Sequence, residues 1–267
     1  MHRSLRFGVR RTTIRLTLAI AALAFLSAVA SAAGGNASPR IETARLADEG
    51  RTLVTTGPDA DTVRWTVADW RTWAAPRFDE ILDEAPELAG RTLKAADFDR
   101  FGAVAVHPGG ARVAFSVTSY AVLTTVSLVG TLDPASGAVT MVHDAKFGDL
   151  EDPTWSPSGR YLAYALGTAR ASGEMLAIDD TETGRTVAHL DGENLLQAWR
   201  RARGDVAQPG GRPYLPHVRA LVWRQDGTAL RFVTDRPGEA GDVDAPTGPG
   251  VAWRFSIDGG GLELLVP

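Results

Sequence analysis

The sequence predicts an all-β protein built from about four repeated units of four strands each. The repeat is read in the segments WSPSGRYLAY, VHPGGARVAF and WRQDGTALRF, with a fainter copy in LADEGRTLVT. In each segment a glycine suited to a turn is followed by the alternating residues of a strand. These glycines are Gly50, Gly110, Gly159 and Gly227. We therefore expect a hairpin at each of these positions.

A second hairpin follows the last three copies of the repeat, in LVGTLDPASGAVTMV, MLAIDDTETGRTVAHL and WRFSIDGGGLELLV. Bulky and small residues alternate along the strands, as where Leu162 and Tyr164 flank Ala163. Small side chains on one face let neighbouring four-stranded sheets stack closely. A period of about 40 to 50 residues with four strands is typical of a propeller blade. The predicted fold is a β-propeller of about four four-stranded blades.

The predicted propeller domain covers residues 41–267, with blades near 41–70, 101–144, 150–191 and 218–267. Two insertions between blades have a helical pattern, near 76–90 and 193–203. The first is acidic and half apolar, which suits a helix that covers a sheet edge or one that binds a partner. The sequence leaves open whether four blades close the ring, a degenerate fifth lies between Asp61 and Phe101, or another chain completes it.

Residues 1–32 have the pattern of an export signal, followed by a linker at 33–40. Five arginines precede an apolar run from Leu16 to Val29, and Ala30-Ser31-Ala32 supplies the small residues of a cleavage site. The run is shorter than the roughly 20 residues that span a membrane. We therefore expect a periplasmic or secreted protein cleaved after Ala32. The pair Arg10-Arg11 leaves the general and twin-arginine export routes open.

Charge and cysteine content exclude several classes of function. Removal of the signal's five arginines leaves 23 basic and 32 acidic residues, a net charge near −9. Such a chain is poorly suited to bind nucleic acid or an anionic membrane surface, so we expect at most a peripheral membrane association. The chain has no cysteine, which excludes disulfides, thiolate metal sites and cysteine nucleophiles. We expect no metal and no cofactor.

The segment WSPSGRYLAY, paired with a downstream IDDTETGRTVAHL or SIDGGGLELL, resembles the repeat of TolB-type β-propellers of the bacterial periplasm. The same WD40-like repeat occurs in the propellers of prolyl oligopeptidase-like enzymes. The resemblance covers about residues 41 to 267 in four copies. It implies blade packing and an envelope location, but many activities share it, so it implies little about chemistry.

Catalytic motifs are absent from the sequence. There is no G-x-S-x-G elbow, H-E-x-x-H pair or Walker A loop, and so we nominate no catalytic residue. His107 occupies a blade turn, and His143 and His189 end predicted strands. We expect structural or surface roles for them. An envelope hydrolase or lyase, with residues that converge at a propeller channel, stays as the alternative.

The insertion after the third blade carries the best candidate binding site. Its residue types are those that dominate interaction hot spots and bind carboxylates or phosphates. The candidate residues are Trp199, Arg200, Arg201, Arg203, Tyr214 and His217. Arginines at the end of a helix are also favoured by the helix dipole alone. We expect a non-enzymatic scaffold that binds an envelope protein, peptide or glycan through this basic patch.

Overall fold

A computed structural model describes residues 40–58, 62–66, 98–119, 126–147, 149–167, 175–204, 217–236 and 250–265. All of them belong to one compact unit, Ala37–Pro267. The predicted export signal, the predicted helix near 76–90 and Tyr214 lie outside the described residues. Within the described parts of the chain, no helix is long and apolar enough to cross a membrane.

The described strands form antiparallel sheets in which chain neighbours pair. Sheet 1 contains β1 (Thr43–Ala47), β2 (Thr52–Thr56) and β3 (Thr62–Thr66). Sheet 2 contains β4 (Phe98–Val106), β5 (Val113–Ser119), β6 (Val126–Asp133) and β7 (Ala138–Phe147). Sheet 3 contains β8 (Asp149–Trp155), β9 (Tyr161–Gly167), β10 (Leu176–Asp180) and β11 (Arg185–Leu190). Sheet 4 contains β12 (Arg219–Trp223), β13 (Ala229–Thr234), β14 (Val251–Ser256) and β15 (Gly261–Leu265).

The sheet order confirms the predicted β-propeller of about four blades. Each sheet is an up-and-down meander, and the first strands β1, β4, β8 and β12 lie beside one another in that order. Sheet 1 shows three strands in the described residues and sheets 2 to 4 show four. The second predicted helix is also confirmed, as α1 (Gly192–Arg203), which follows β11.

Three of the four copies of the repeat fold into the same turn. In each, the glycine has a positive φ and its N–H donates to the carbonyl three residues earlier. The bonds are Gly110 to His107 at 2.7 Å, Gly159 to Ser156 at 2.8 Å and Gly227 to Arg224 at 2.9 Å. A positive φ favours glycine, which explains why the repeat holds this residue. The faint copy differs, since Asp48 and Glu49 also have positive φ and Arg51 donates to Asp48.

The tryptophans of the repeat join consecutive sheets. The indole N–H of Trp155, at the end of β8, donates to the Ala105 carbonyl in β4 at 3.1 Å. That of Trp223, at the end of β12, donates to the Thr154 carbonyl in β8 at 3.2 Å. Both rings are buried in the core between sheets, among small residues of the preceding sheet such as Ala163. The predicted alternation of bulky and small side chains thus makes room for the next sheet's tryptophan.

The repeat turns also contact one another. A Cβ added to Gly159 would lie 1.8 Å from Nε2 of His107 in the preceding turn. The same addition at Gly227 would come within 3.8 Å of Pro157. In sheet 1, where the repeat has no tryptophan, the Ile41 N–H donates to the Gly110 carbonyl at 2.7 Å. Glycine is therefore needed at 159 for both its backbone angle and its closeness to His107.

We predict that Gly159→Ala destabilises the protein more than Gly184→Ala. Both glycines have positive φ, 76° and 65°, but a Cβ at Gly184 meets nothing within 4 Å. Gly184→Ala should cost about 1 kcal/mol for the backbone angle alone. Gly159→Ala should cost about 3 kcal/mol, because it adds a clash with His107. Chemical denaturation of both variants measures the difference, and equal losses would contradict the stacked turns.

Candidate functional site

Helix α1 is held in place by its cap and by its apolar face. The Asp191 side chain accepts the Asn194 N–H at 2.8 Å, and the Asn194 side chain accepts the Asp191 N–H at 3.1 Å. This capping box fixes the first turn against the end of β11. Leu195 and Leu196 are buried in the core between sheets 3 and 4, and Trp199 packs against the same cluster. The helix is thus rigidly positioned.

The residues of the predicted basic patch have different surroundings in the structure. Trp199 packs on the core, so it serves as an anchor of the helix. Arg200 lies 3.7 Å from the carboxylate of Glu193, two helical turns earlier. Arg203 is exposed in the last turn of the helix. His217 lies just before β12, and its backbone N–H donates to the Asp235 carboxylate at 3.2 Å. Of the predicted residues that the structure describes, Arg201 lines the larger cleft.

This cleft, which we call the α1–β11 cleft, has a volume of about 460 Å³. It lies between the helix, the outer strand of sheet 3 and the outer half of sheet 4. Asn194, Gln197 and Arg201 line it from one face of α1, at the spacing of successive turns. Its remaining lining includes Val187, His189 and Leu190 from β11, with Phe255 and Leu262 from sheet 4.

The α1–β11 cleft combines apolar walls with a cation. Arg201 is exposed and makes no ion pair with any other described residue. Gln197 donates to Glu193 at 3.2 Å, which fixes its amide on the helix surface. Phe255 is buried, and Val187 is exposed by 38% on the open side of the sheet. The arrangement suits a ligand that carries a negative group beside an apolar one.

A second cleft, which sequence reasoning missed, lies between sheets 2 and 3. We call it the hairpin-tip cleft because the β6–β7 and β10–β11 turns border it. It has a volume of about 340 Å³ and is lined mainly by Arg112, Thr131, Asp133, Thr140, Thr181 and Gly184. In the sequence, Asp133 and Asp180 indicate two turns. Neither residue indicates that a cleft lies between those turns.

The buried aspartates of the described residues hold neighbouring parts of the sheets together. Arg219 donates to Asp235 at 2.9 Å and to the His217 carbonyl at 3.3 Å, which secures the start of β12. The hydroxyl of buried Tyr164 donates to Asp179 at 2.6 Å inside sheet 3. No cluster of three or more metal-binding side chains occurs in the described ranges. These contacts organise strands.

Asp180 illustrates how a carboxylate stabilises a hairpin tip. Its Oδ1 accepts the N–H groups of Glu182 and Thr183 at 3.0 and 3.2 Å, and Arg160 donates to its Oδ2 at 2.7 Å. The hydrogen bond from Arg160 is the main reason that the pKa of Asp180 is lowered. The carboxylate therefore stays ionised and keeps the turn closed.

His107 links two repeat turns rather than lining a site. Its Nδ1 accepts the Gly109 N–H at 3.0 Å, and its ring lies edge-on to Trp155 with centroids 4.9 Å apart. Burial lowers the pKa of His107, and a hydrogen bond with the Gly159 backbone offsets part of that lowering. The neutral ring is required, because a protonated Nδ1 has no lone pair for Gly109.

No protein-family model and no curated protein sequence match the chain. Solved structures do resemble it. A prolyl endopeptidase is 14% identical over 86% of this chain and 30% of its own, with a TM-score of 0.43. The β-propeller domain of the trilobed protease from Pyrococcus furiosus is 16% identical over 59% of this chain and 38% of its own, with a TM-score of 0.34.

A third structure is Sqt1 of Chaetomium thermophilum, bound to the N-terminus of a ribosomal protein. It is 18% identical over 83% of this chain and 48% of its own, with a TM-score of 0.39. The chain spans less than half the length of each of these three structures. The assignment of the fold rests on the sheet order and on the repeated turns described above.

We predict that His107→Asn reduces the loss of stability on acidification. The unfolded-state pKa of histidine is about 6.5, and that of folded His107 is lower. Above both values neither state is protonated at this residue. As the pH falls below about 6.5 the unfolded chain takes up the proton first, so the wild type loses stability. Asparagine keeps an acceptor for the Gly109 N–H but does not titrate.

The measurement is the free energy of unfolding of both proteins at pH values between 7.5 and 5. All other residues are the same in both proteins, so the difference isolates residue 107. The advantage of the wild type over His107→Asn should therefore shrink as the pH falls. A difference that stays constant over this range would contradict the role given to the neutral ring.

Proposed function

We propose that the protein is an exported, non-enzymatic binding scaffold of the bacterial cell envelope, with a TolB-like role. Its α1–β11 cleft binds an acidic segment of another envelope protein or a peptide. The observation that carries the proposal is the position of Arg201. This guanidinium stands at a cleft with apolar walls and forms no ion pair within the described residues.

The distribution of charge on the protein supports the proposal of an acidic ligand. The chain without residues 1–32 has a net charge near −9, yet Arg200, Arg201 and Arg203 are grouped in the last turn of α1. A local cation on an acidic protein attracts a complementary group while the rest of the surface repels other acidic chains. Arginine also binds carboxylates through two parallel hydrogen bonds, which adds orientation to attraction.

Rigidity supports binding through this cleft. The capping box at Asp191 and the buried Leu195 and Leu196 hold α1, and Trp223 joins sheet 4 to sheet 3 beneath it. A preformed site loses less conformational entropy when a ligand binds. Insertions presented on such a framework are the usual place for recognition, because the sheets fix their position.

The export part of the proposal is supported by the N-terminal sequence. The arginine-rich start, the apolar run and the Ala30-Ser31-Ala32 junction fit a signal that is removed on export. The resemblance of the repeat to TolB-type propellers supports a periplasmic or secreted location. A chain without cysteine is also suited to an oxidising compartment, where it has no thiol to oxidise.

We predict that Arg201→Glu abolishes partner capture and that Arg231→Glu does not. Arg231 is a matched control, because it is exposed on β13, forms no ion pair with a described residue and lies outside the cleft lining. Charge reversal at Arg201 places like charges together and should weaken binding by tenfold or more, on the order of 2 kcal/mol.

The assay is cross-linked capture from an envelope extract with wild type and both variants as baits, followed by mass spectrometry. A protein captured by the wild type and by Arg231→Glu but lost with Arg201→Glu would support the proposal. Identical captures from all three baits would refute the cleft as the binding site.

A further inference from the structure

The hairpin-tip cleft is formed by residues at matching positions of sheet 2. Arg112 directly precedes β5, and Asp133 ends β6, next to the pair Val113 and Leu132. One residue further into the sheet, Thr131 pairs with Thr140 on β7. Polar side chains thus occupy two rows at one end of the sheet, with the row of Val113 and Leu132 between them. Across the cleft, the turn of sheet 3 contributes Thr181 and Gly184.

Thr131 places a hydroxyl at this end of the cleft. The residue is 5% exposed and lines the cleft, yet its hydroxyl has no hydrogen-bond partner among the described residues. The oxygen is not one of the buried unpaired side-chain atoms of the described residues, so it is open to solvent from the cleft. A partner that enters the cleft would satisfy this hydroxyl. Thr181, in contrast, already donates to the Arg160 carbonyl at 2.9 Å.

The two charges that line the cleft are not paired with each other. Within the described residues, Arg112 and Asp133 form no ion pair, although they lie at the same end of neighbouring strands. Asp133 uses Oδ1 to accept the N–H groups of Ala135 and Ser136, at 2.9 and 3.4 Å. Its Oδ2 has no partner in the same ranges. The cleft therefore offers a guanidinium, a carboxylate oxygen and a hydroxyl to a ligand.

From this geometry we infer that the hairpin-tip cleft binds a small zwitterion, a free α-amino acid. The α-carboxylate pairs with Arg112, which matches a carboxylate with two parallel donors. The α-ammonium donates to Asp133 Oδ2 and to the Thr131 hydroxyl. A ligand with both charges and no net charge satisfies both walls at once. A simple anion or cation would satisfy one wall and leave the other charge without a partner.

The lining also sets the preferred side chain. Ala138 and Gly184 line the cleft, and its other lining residues all carry a hydroxyl or a charge. A volume of about 340 Å³ has room for an amino acid with a short side chain. Thr140 and Thr181 also line the cleft, and threonine hydroxyls suit hydrogen bonds to a polar side chain. We expect L-serine and L-asparagine to bind more tightly than L-leucine.

Calorimetric titration of the purified full chain tests this inference. The probes are L-serine, L-asparagine, L-leucine, glucose and acetate. L-Serine or L-asparagine should bind with a Kd of about 1 mM or tighter, and glucose and acetate should give no heat of binding. Failure of every amino acid to bind, or binding of glucose instead, would overturn the inference.

Three variants assign the binding to this cleft. Arg112→Gln should weaken amino-acid binding by about tenfold or more, because it removes the charge that pairs with the carboxylate. Thr131→Val should weaken it by about threefold to tenfold. The thermal stability of Thr131→Val should be unchanged or higher, since the lost hydroxyl had no partner. Arg231→Gln, which lies outside both cleft linings, should bind as the wild type does.

Binding that is equal in Arg112→Gln, Thr131→Val and the wild type would overturn the assignment even if an amino acid binds. This result is independent of the α1–β11 cleft. A wild type that binds amino acids but captures no envelope protein would leave the hairpin-tip site intact and refute the scaffold proposal. The reverse result would refute the amino-acid site alone.

Discussion

The hydrogen bond from the indole of one sheet to the first strand of the preceding sheet is the interaction on which this structure depends. Trp155 and Trp223 make it at 3.1 and 3.2 Å to backbone carbonyls that the strand ladders leave accessible. Each ring also fills the space between sheets, so one residue both satisfies a partly buried acceptor and supplies apolar contact. Because both bonds reach back one sheet, they set the order and spacing of sheets 2, 3 and 4. The stacked turns at Gly159 and Gly227 follow the same relation.

Both clefts are consequences of this arrangement. The tryptophan contacts bring the first strands close together, whereas the later strands and their hairpins carry the residues that line the clefts. Between sheets 2 and 3 the polar row at Arg112 and Asp133 replaces the apolar core and leaves the hairpin-tip cleft. Between sheets 3 and 4, helix α1 follows β11 and forms one wall of the α1–β11 cleft. The clefts therefore arise where repeat packing ends, at positions that the repeat does not constrain.

The sequence predicted the features that depend on local chemistry. A glycine at a positive φ, a strand alternation and a capped amphipathic helix are each set by a few neighbouring residues, and the repeated turns and α1 were therefore predicted. The candidate site depends on contacts between distant residues. Trp199 was grouped with the arginines by its position in the chain, but the helix turns it towards the core and Arg201 towards the cleft. Thr131 and Arg112 belong to no sequence motif. Only the structure shows that they line a cleft beside sheet 3 and that their side chains have no partner among the described residues.

Comparison of Trp223→Phe with Trp65→Phe tests the central role of the indole bond most directly. The Trp65 Nε1 is buried and has no hydrogen-bond partner among the described residues, so phenylalanine there removes a similar ring area without breaking a bond. Phenylalanine at 223 leaves the Thr154 carbonyl without its donor. The free energy of unfolding should fall by about 1 to 3 kcal/mol more for Trp223→Phe than for Trp65→Phe. Equal losses in the two variants would contradict the claim that these bonds hold the sheets together.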